Sequence, residues 1–237
     1  MKRRIGLVFA VIAIGISAGA VNAFASGPYS SGTTGYDVSY PNCGVTPPGA
    51  FAIVGVNGGR PFSSNSCLGA EYTAAPQSPL PSLYINTGYS GAYRKSITSG
   101  CSGRVVAVTG SNAQKQAWAI GCSEADTSIS YAARSASMWW VDVESGNSWS
   151  TSNTSLNRYT IQGAVDRLGQ VNAYVGVYST ASMWNTITGS TTGTSFTPNG
   201  IVADWVAAGS CTTPFTGNKP VWLQQSTSGG LDSDYAC

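Results

Sequence analysis

Residues 139–150 read WWVDVESGNSWS, and the run 138–144 (MWWVDVE) decides the architecture. Its first residues are apolar without a break, the pattern of a strand buried on both faces, as in a parallel sheet. Yet it carries Asp142 and Glu144 one residue apart, in a chain where charged residues are only 9% of the total, against about 25% for an average soluble protein. Side chains two apart in a strand share a face. Trp140, Asp142 and Glu144 therefore point one way, and Trp139, Val141 and Val143 the other. If the second set meets helices, the first lines a barrel, with both acids at the C-terminal end of the strand, where barrel active sites are built.

Outward from this run, similar segments recur at 36–40 (YDVSY), 51–57 (FAIVGVN), 82–87 (SLYINT), 174–179 (YVGVYS), 201–207 (IVADWVA) and 221–225 (VWLQQ). Between them, the alanine-rich span 113–136 and the span 153–170 predict helices. The second has Ser152 or Asn153 as its cap and Ile161, Ala164, Val165 and Leu168 on one face. A short helix fits 181–189. Strand and helix in alternation imply an α/β fold with parallel strands. After Asn199 the strand-like runs crowd together without room for helices. The expected fold is a (β/α) TIM-like barrel with helices missing in its last third. Stretches 26–35, 74–81 and 189–200 read as loops, none long enough to divide the chain.

The chain begins MKRR, continues with an apolar run over 5–21 and reaches Ala23-Phe24-Ala25. A basic start, an apolar centre and a small-x-small exit describe a secretory signal peptide at 1–25, with 26–237 as a single domain. A membrane anchor is the rival for this run, because its length approaches a bilayer span; the small-residue exit favours cleavage. Three of the 12 basic residues lie in this leader, which leaves nine against 10 acidic ones. No nucleic-acid partner or stable membrane association is inferred, and a monomer is expected. Cys43, Cys67, Cys101, Cys122, Cys211 and Cys237 form an even set outside the leader and read as disulfides of an exported protein. The pairing 43–67, 101–122 and 211–237 closes short local loops.

There is no histidine. That excludes Ser-His-Asp and Cys-His nucleophile systems and the usual zinc hydrolase site, and neither cofactor nor metal is expected. Acid–base chemistry would fall to carboxylates, tyrosines or lysines. A strand-end acid can simply cap a turn, here Ser145-Gly146-Asn147, or pair with an arginine. Two acids on one face, with Asp37 at the end of another strand, favour catalysis. Two like charges this close also raise one pKa, as a general acid requires. Trp140 and Trp205 are candidate sugar platforms. Asp204, adjacent to Trp205, faces the opposite way and reads as structural.

GYDVS (35–39), WWVDVE (139–144), VGVYST (175–180), DWVAA (204–208) and LQQ…GLDSD (223–234) occur in an order that resembles glycoside hydrolase family 25, the bacterial and phage-type lysozymes, and more closely its secreted glycoside-hydrolase-like relatives. The resemblance implies a barrel with late helices missing. It also implies a secreted hydrolase of an N-acetylated glycan, foremost peptidoglycan. It assigns Glu144 as general acid and Asp142 as the group that stabilises the developing cation or acetamido intermediate. Asp37 matches the first-strand acid, Asp232 the late acid, with Asp234 competing for that place, and Tyr178 a tyrosine of the substrate cleft. Where the family carries a lysine and a glutamate near the second strand's end, this chain has Gly55 and Gly58; the third strand's histidine is replaced around Ile85-Asn86. These departures fall on the sugar-binding rim. The alternative they leave open is a catalytically inactive carbohydrate-binding or cell-envelope barrel.

Overall fold

The computed structural model describes residues 27–191, 194–228 and 230–237, so the leader expected at 1–25 lies outside the described residues. Eight strands, hydrogen-bonded in chain order, close into one barrel. They are β1 (Thr34–Val38), β2 (Ala52–Gly55), β3 (Ser82–Asn86), β4 (Trp139–Asp142), β5 (Val175–Ser179), β6 (Ala203–Ala207), β7 (Val221–Ser228) and β8 (Leu231–Ala236). Neighbours from β1 to β7 pair in parallel. β8 turns back and pairs antiparallel with both β7 and β1, which completes the ring. The sequence pattern had placed seven of these strands and had missed β8.

Helix α1 (Leu68–Ala74) lies between β2 and β3, and α2 (Ser99–Arg104) and α3 (Asn112–Ala132) between β3 and β4. Then α4 (Thr154–Leu168) links β4 to β5 and α5 (Ala181–Thr188) links β5 to β6, whereas β6, β7 and β8 follow one another without a described helix. The fold is mixed α/β. A capping box starts α3: Ser111 Oγ accepts from the Gln114 N–H, and Gln114 Oε1 accepts from the Ser111 N–H. Asn153 caps α4 through the Ser155 N–H at 3.2 Å. Helices α1 and α2 escaped the sequence pattern because each is too short to show a face.

Alternation along the strands separates two cores. Trp139, Val141 and Val143 pack outward with Ile161, Ala164, Val165 and Leu168 of α4. Trp140 points inward and joins Tyr29, Phe51, Ile53, Trp205 and Leu223 in the barrel interior. Gly176 on β5 makes that possible, since a Cβ there would lie 2.1 Å from the Trp140 ring. The lower barrel is thus filled by aromatic side chains, and the polar groups are left at its upper mouth.

Disulfides join Cys43–Cys67, Cys101–Cys122 and Cys211–Cys237, the local pairing expected from the sequence. No cysteine is free. The first ties the segment after β1 to the start of α1, the second ties α2 to α3, and the third ties the loop after β6 to the end of β8. Each closes a short loop and is worth about 3 kcal/mol by restricting the unfolded chain. Unreduced, denatured protein should take up no alkylating label by mass spectrometry, and reduction should lower the melting temperature. Label on any cysteine would contradict this pairing.

Candidate active site

The C-terminal ends of the parallel strands surround a cavity of about 290 Å³ lined by Asp37, Tyr84, Asn86, Asp142, Glu144, Tyr178, Trp205, Gln225 and Asp232, with Gly59 at its edge. Strand register explains the convergence. Asn86, Asp142, Tyr178 and Trp205 are successive partners across β3, β4, β5 and β6, so they stand at one level. Asp232 enters from β8 directly opposite Asp37 on β1. Because β8 is antiparallel, its first residues are the ones that reach the mouth.

The acids differ in depth. Asp142 closes β4 and is 4% exposed. Asn86 Nδ2 donates to its Oδ2, while its buried Oδ1 has no hydrogen-bond partner among the described residues. Burial, then the charges of Glu144 and Asp37, hold the Asp142 carboxyl well above the usual range. Glu144 stands two residues beyond the strand, half-buried, and burial followed by the charge of Asp232 raises its pKa. Its backbone carbonyl accepts from Trp149 Nε1 at 2.7 Å, which braces the turn that carries it. No side chain donates to its carboxylate among the described residues, so the group is free to meet a ligand.

Asp37 is pushed up to about 7, chiefly by burial, against a hydrogen bond from Gln225 Nε2 at 2.8 Å; Asp232 raises it further. Asp234 is completely buried beneath Asp232 on the same face of β8. It accepts from Trp205 Nε1 at 2.8 Å, while its Oδ2 has no hydrogen-bond partner among the described residues, and burial, then the charge of Asp37, hold its carboxyl well above the usual range. Asp234 therefore does not line the cavity. Neither does Trp140, which is 0% exposed and donates from Nε1 to Tyr29 Oη at 2.9 Å, deep in the barrel. Both had been expected at the ligand surface; both lie under the floor. Trp205 forms that floor, its ring 4.5 Å from that of Tyr178. Asp204 points away and accepts from the Phe215 and Thr216 N–H groups and from Thr216 Oγ1, at 2.9, 3.0 and 2.8 Å.

Tyr84, Asn86 and Gln225 complete the site; of these the sequence had named only Asn86, as a departure on the sugar-binding rim. Gly55 admits Tyr84: a Cβ there would lie 2.7 Å from Ser39 Cβ and 2.8 Å from the Tyr84 ring. Behind Asn86, the buried Glu124 of α3 accepts from Thr87 Oγ1 and from the Gly88 N–H, and so fixes the end of β3. The signal for all three cavity residues was alternation, since each lies on the inward face of its strand.

No arginine or lysine lines this cavity, and burial raises the pKa of Asp37, Asp142 and Glu144, with consequences for stability. Asp37 titrates at about 7 and Asp204, through burial, at about 6 in the fold, against about 3.9 in the unfolded chain. From about pH 4 upward the native state binds more protons than the unfolded state, so stability falls as pH rises through about 7, and Glu124, Asp142 and Asp234, held well above the usual range, extend the fall beyond it. Burial works against the charge of Asp126, but Arg167 at 2.8 Å holds its pKa low, and it titrates below this range. The melting temperature should therefore be higher at pH 5 than at pH 7.5, and Asp37→Asn should flatten the difference. A rise from pH 5 to 7.5 in thermal scans would contradict the assignment.

Residues 91–199 match the sequence model of a family described as lysozyme-like protein 1. The matched stretch, somewhat under half of the chain, includes Asp142, Glu144 and Tyr178 and is a likeness to that lysozyme-like family. No curated protein and no solved structure matches it.

Proposed function

We propose that the protein is a secreted glycoside hydrolase of the lysozyme type, a TIM-like (β/α) barrel akin to glycoside hydrolase family 25, that cleaves an N-acetylated glycan, foremost peptidoglycan. One observation carries the reading. Acids from three separate strand ends, Asp37, Asp142 with Glu144, and Asp232, meet in a single cavity with no cation among its lining residues. A fold keeps uncompensated carboxylates together at such a cost when they act on a ligand.

Glu144 is the general acid. Half-buried, with its pKa raised and no donor to its carboxylate, it can hold a proton and deliver it to the glycosidic oxygen. Asp142 has one oxygen held by Asn86 and the other unpartnered. That second, buried oxygen lacks a partner, which an acetamido N–H or the cation that develops as the bond breaks would supply. Carboxylate pairs serve inverting and retaining displacement alike, and substrate-assisted families are an exception to the usual scheme; the anomer first released distinguishes inversion from acetamido assistance. Tyr178 and Trp205 bear on the sugar, and Asp37 and Asp232 set the field around it. Three disulfides support secretion.

A second reading is a glycan-binding barrel without turnover. The cavity's 290 Å³ lies just below the range of ligand pockets, about 300 to 1,000 Å³, and fits a single sugar group in either reading. Incubation with purified cell walls separates the two. New reducing ends support the hydrolase; saturable retention on the walls without release supports the binder.

A further inference from the structure

Gln225 bridges two groups of the cavity, Tyr178 and Asp37. Its Oε1 accepts from Tyr178 Oη at 2.6 Å, and its Nε2 donates to Asp37 Oδ2 at 2.8 Å. An ionised Asp37 can only accept, so the amide atom that faces its Oδ2 is the nitrogen. The amide must then turn its nitrogen toward Asp37 and its oxygen toward Tyr178. A phenol has one proton, and Gln225 takes it. The oxygen of Tyr178 is left with lone pairs alone for anything that enters the cavity.

We propose that Gln225 is a positioning residue that fixes Tyr178 as a hydrogen-bond acceptor, so that the site selects a ligand presenting an O–H or amide N–H at that point. This deepens the proposed function and rests on it: hydroxyl and acetamido groups of a sugar have such donors, whereas a carbonyl or ether oxygen would meet an acceptor. The groups that share the field are Asp232 and Asp234 from β8, Asp142 and Glu144 at and beyond the end of β4, and Tyr84 from β3.

The test has one arm that needs no ligand. In protein labelled with ¹³C at the aspartate carboxyls, with Asp37→Asn for assignment, Gln225→Met keeps an unbranched side chain but removes the donor. The Asp37 midpoint should rise by about half a pH unit or more, the share of one hydrogen bond to a charged group. A purely structural role would lower the melting temperature and leave that midpoint in place, and an unchanged midpoint overturns the positioning role. The second arm uses calorimetry with the tetramer of N-acetylglucosamine and its deoxyfluoro and N-methyl analogues, each lacking one donor. One analogue should bind wild type about three- to tenfold more weakly and bind Tyr178→Phe no more weakly than the parent tetramer does. If every analogue loses as much in Tyr178→Phe as in wild type, Tyr178 is not the acceptor. If wild type binds none of the series, the proposed function and the Tyr178 role fall together, while the Asp37 midpoint still decides Gln225.

Discussion

Glu144→Gln should lower reducing-end release from peptidoglycan by about 100-fold or more, the usual contribution of a positioned acid, with the melting temperature unchanged or slightly raised. The amide matches the carboxyl in shape and can still donate a hydrogen bond, but it cannot transfer a proton. Substrate binding should survive, so the loss should fall on kcat with little change in KM. Folding should not suffer, because no described side chain donates to this carboxylate and its nearest charged influence, Asp232, is repulsive. The pH profile gives an independent check. Burial and Asp232 raise the Glu144 pKa, so the alkaline limb of the wild-type profile should lie above the ordinary glutamate range of about 4.3. Equal turnover in wild type and variant would remove Glu144 from the mechanism. No turnover in either, with retention on cell walls intact, would establish the binding barrel instead.

Much of this site was legible in one strand. The two-residue period of MWWVDVE separated helix-facing Trp139, Val141 and Val143 from inward Trp140, Asp142 and Glu144, and the packing follows that division. Period gives a face and says nothing about depth. Trp140 shares its face with the acids, yet it is buried because Gly176 on the neighbouring strand leaves room for an indole. That glycine is unremarked in VGVYS until strands are paired. β8 was illegible for a different reason. Its inward residues include Asp232 and Asp234, so the polarity that marks a strand's solvent face is reversed at the barrel mouth. Gln225 was hidden likewise, since an amide at the end of VWLQQ has the look of a strand terminus. Only closure of the ring brings it between Asp37 and Tyr178. Helices α1 and α2 owe their places partly to disulfides, with Cys67 just before α1 and Cys101 within α2, and a seven- or six-residue helix is too brief for periodicity to declare it.

Gly121→Ala should destabilise the fold by about 3 kcal/mol, which for a domain of this size is a fall of about 6–12 °C in melting temperature. Helices α3 and α4 meet at their backbones. A Cβ at Gly121 would lie 1.8 Å from the Thr160 carbonyl oxygen, and one at Gly163 would lie 2.0 Å from that of Trp118. Neither obstacle is a side chain that can swing away. To admit one methyl group the helices must separate, which strains the bond from Trp118 Nε1 to Asp166 Oδ2 at 2.7 Å and the Arg167–Asp126 ion pair at 2.8 Å, the only ion pair among the described residues. Helix propensity works the other way, since alanine is favoured over glycine by about 1 kcal/mol in a helix interior; the steric cost must exceed it. Gly103→Ala in α2 is the control. Nothing lies within 4 Å of its Cβ position, so propensity acts alone and the melting temperature should hold or rise. The effect of Gly121→Ala should also reach the cavity. Glu124, one turn further along α3, holds Thr87 and Gly88, and the adjacent Asn86 donates to Asp142. Turnover by Gly121→Ala should therefore fall even at temperatures where circular dichroism shows it fully folded. A variant as stable as wild type would mean that the two helices do not pack on their glycines.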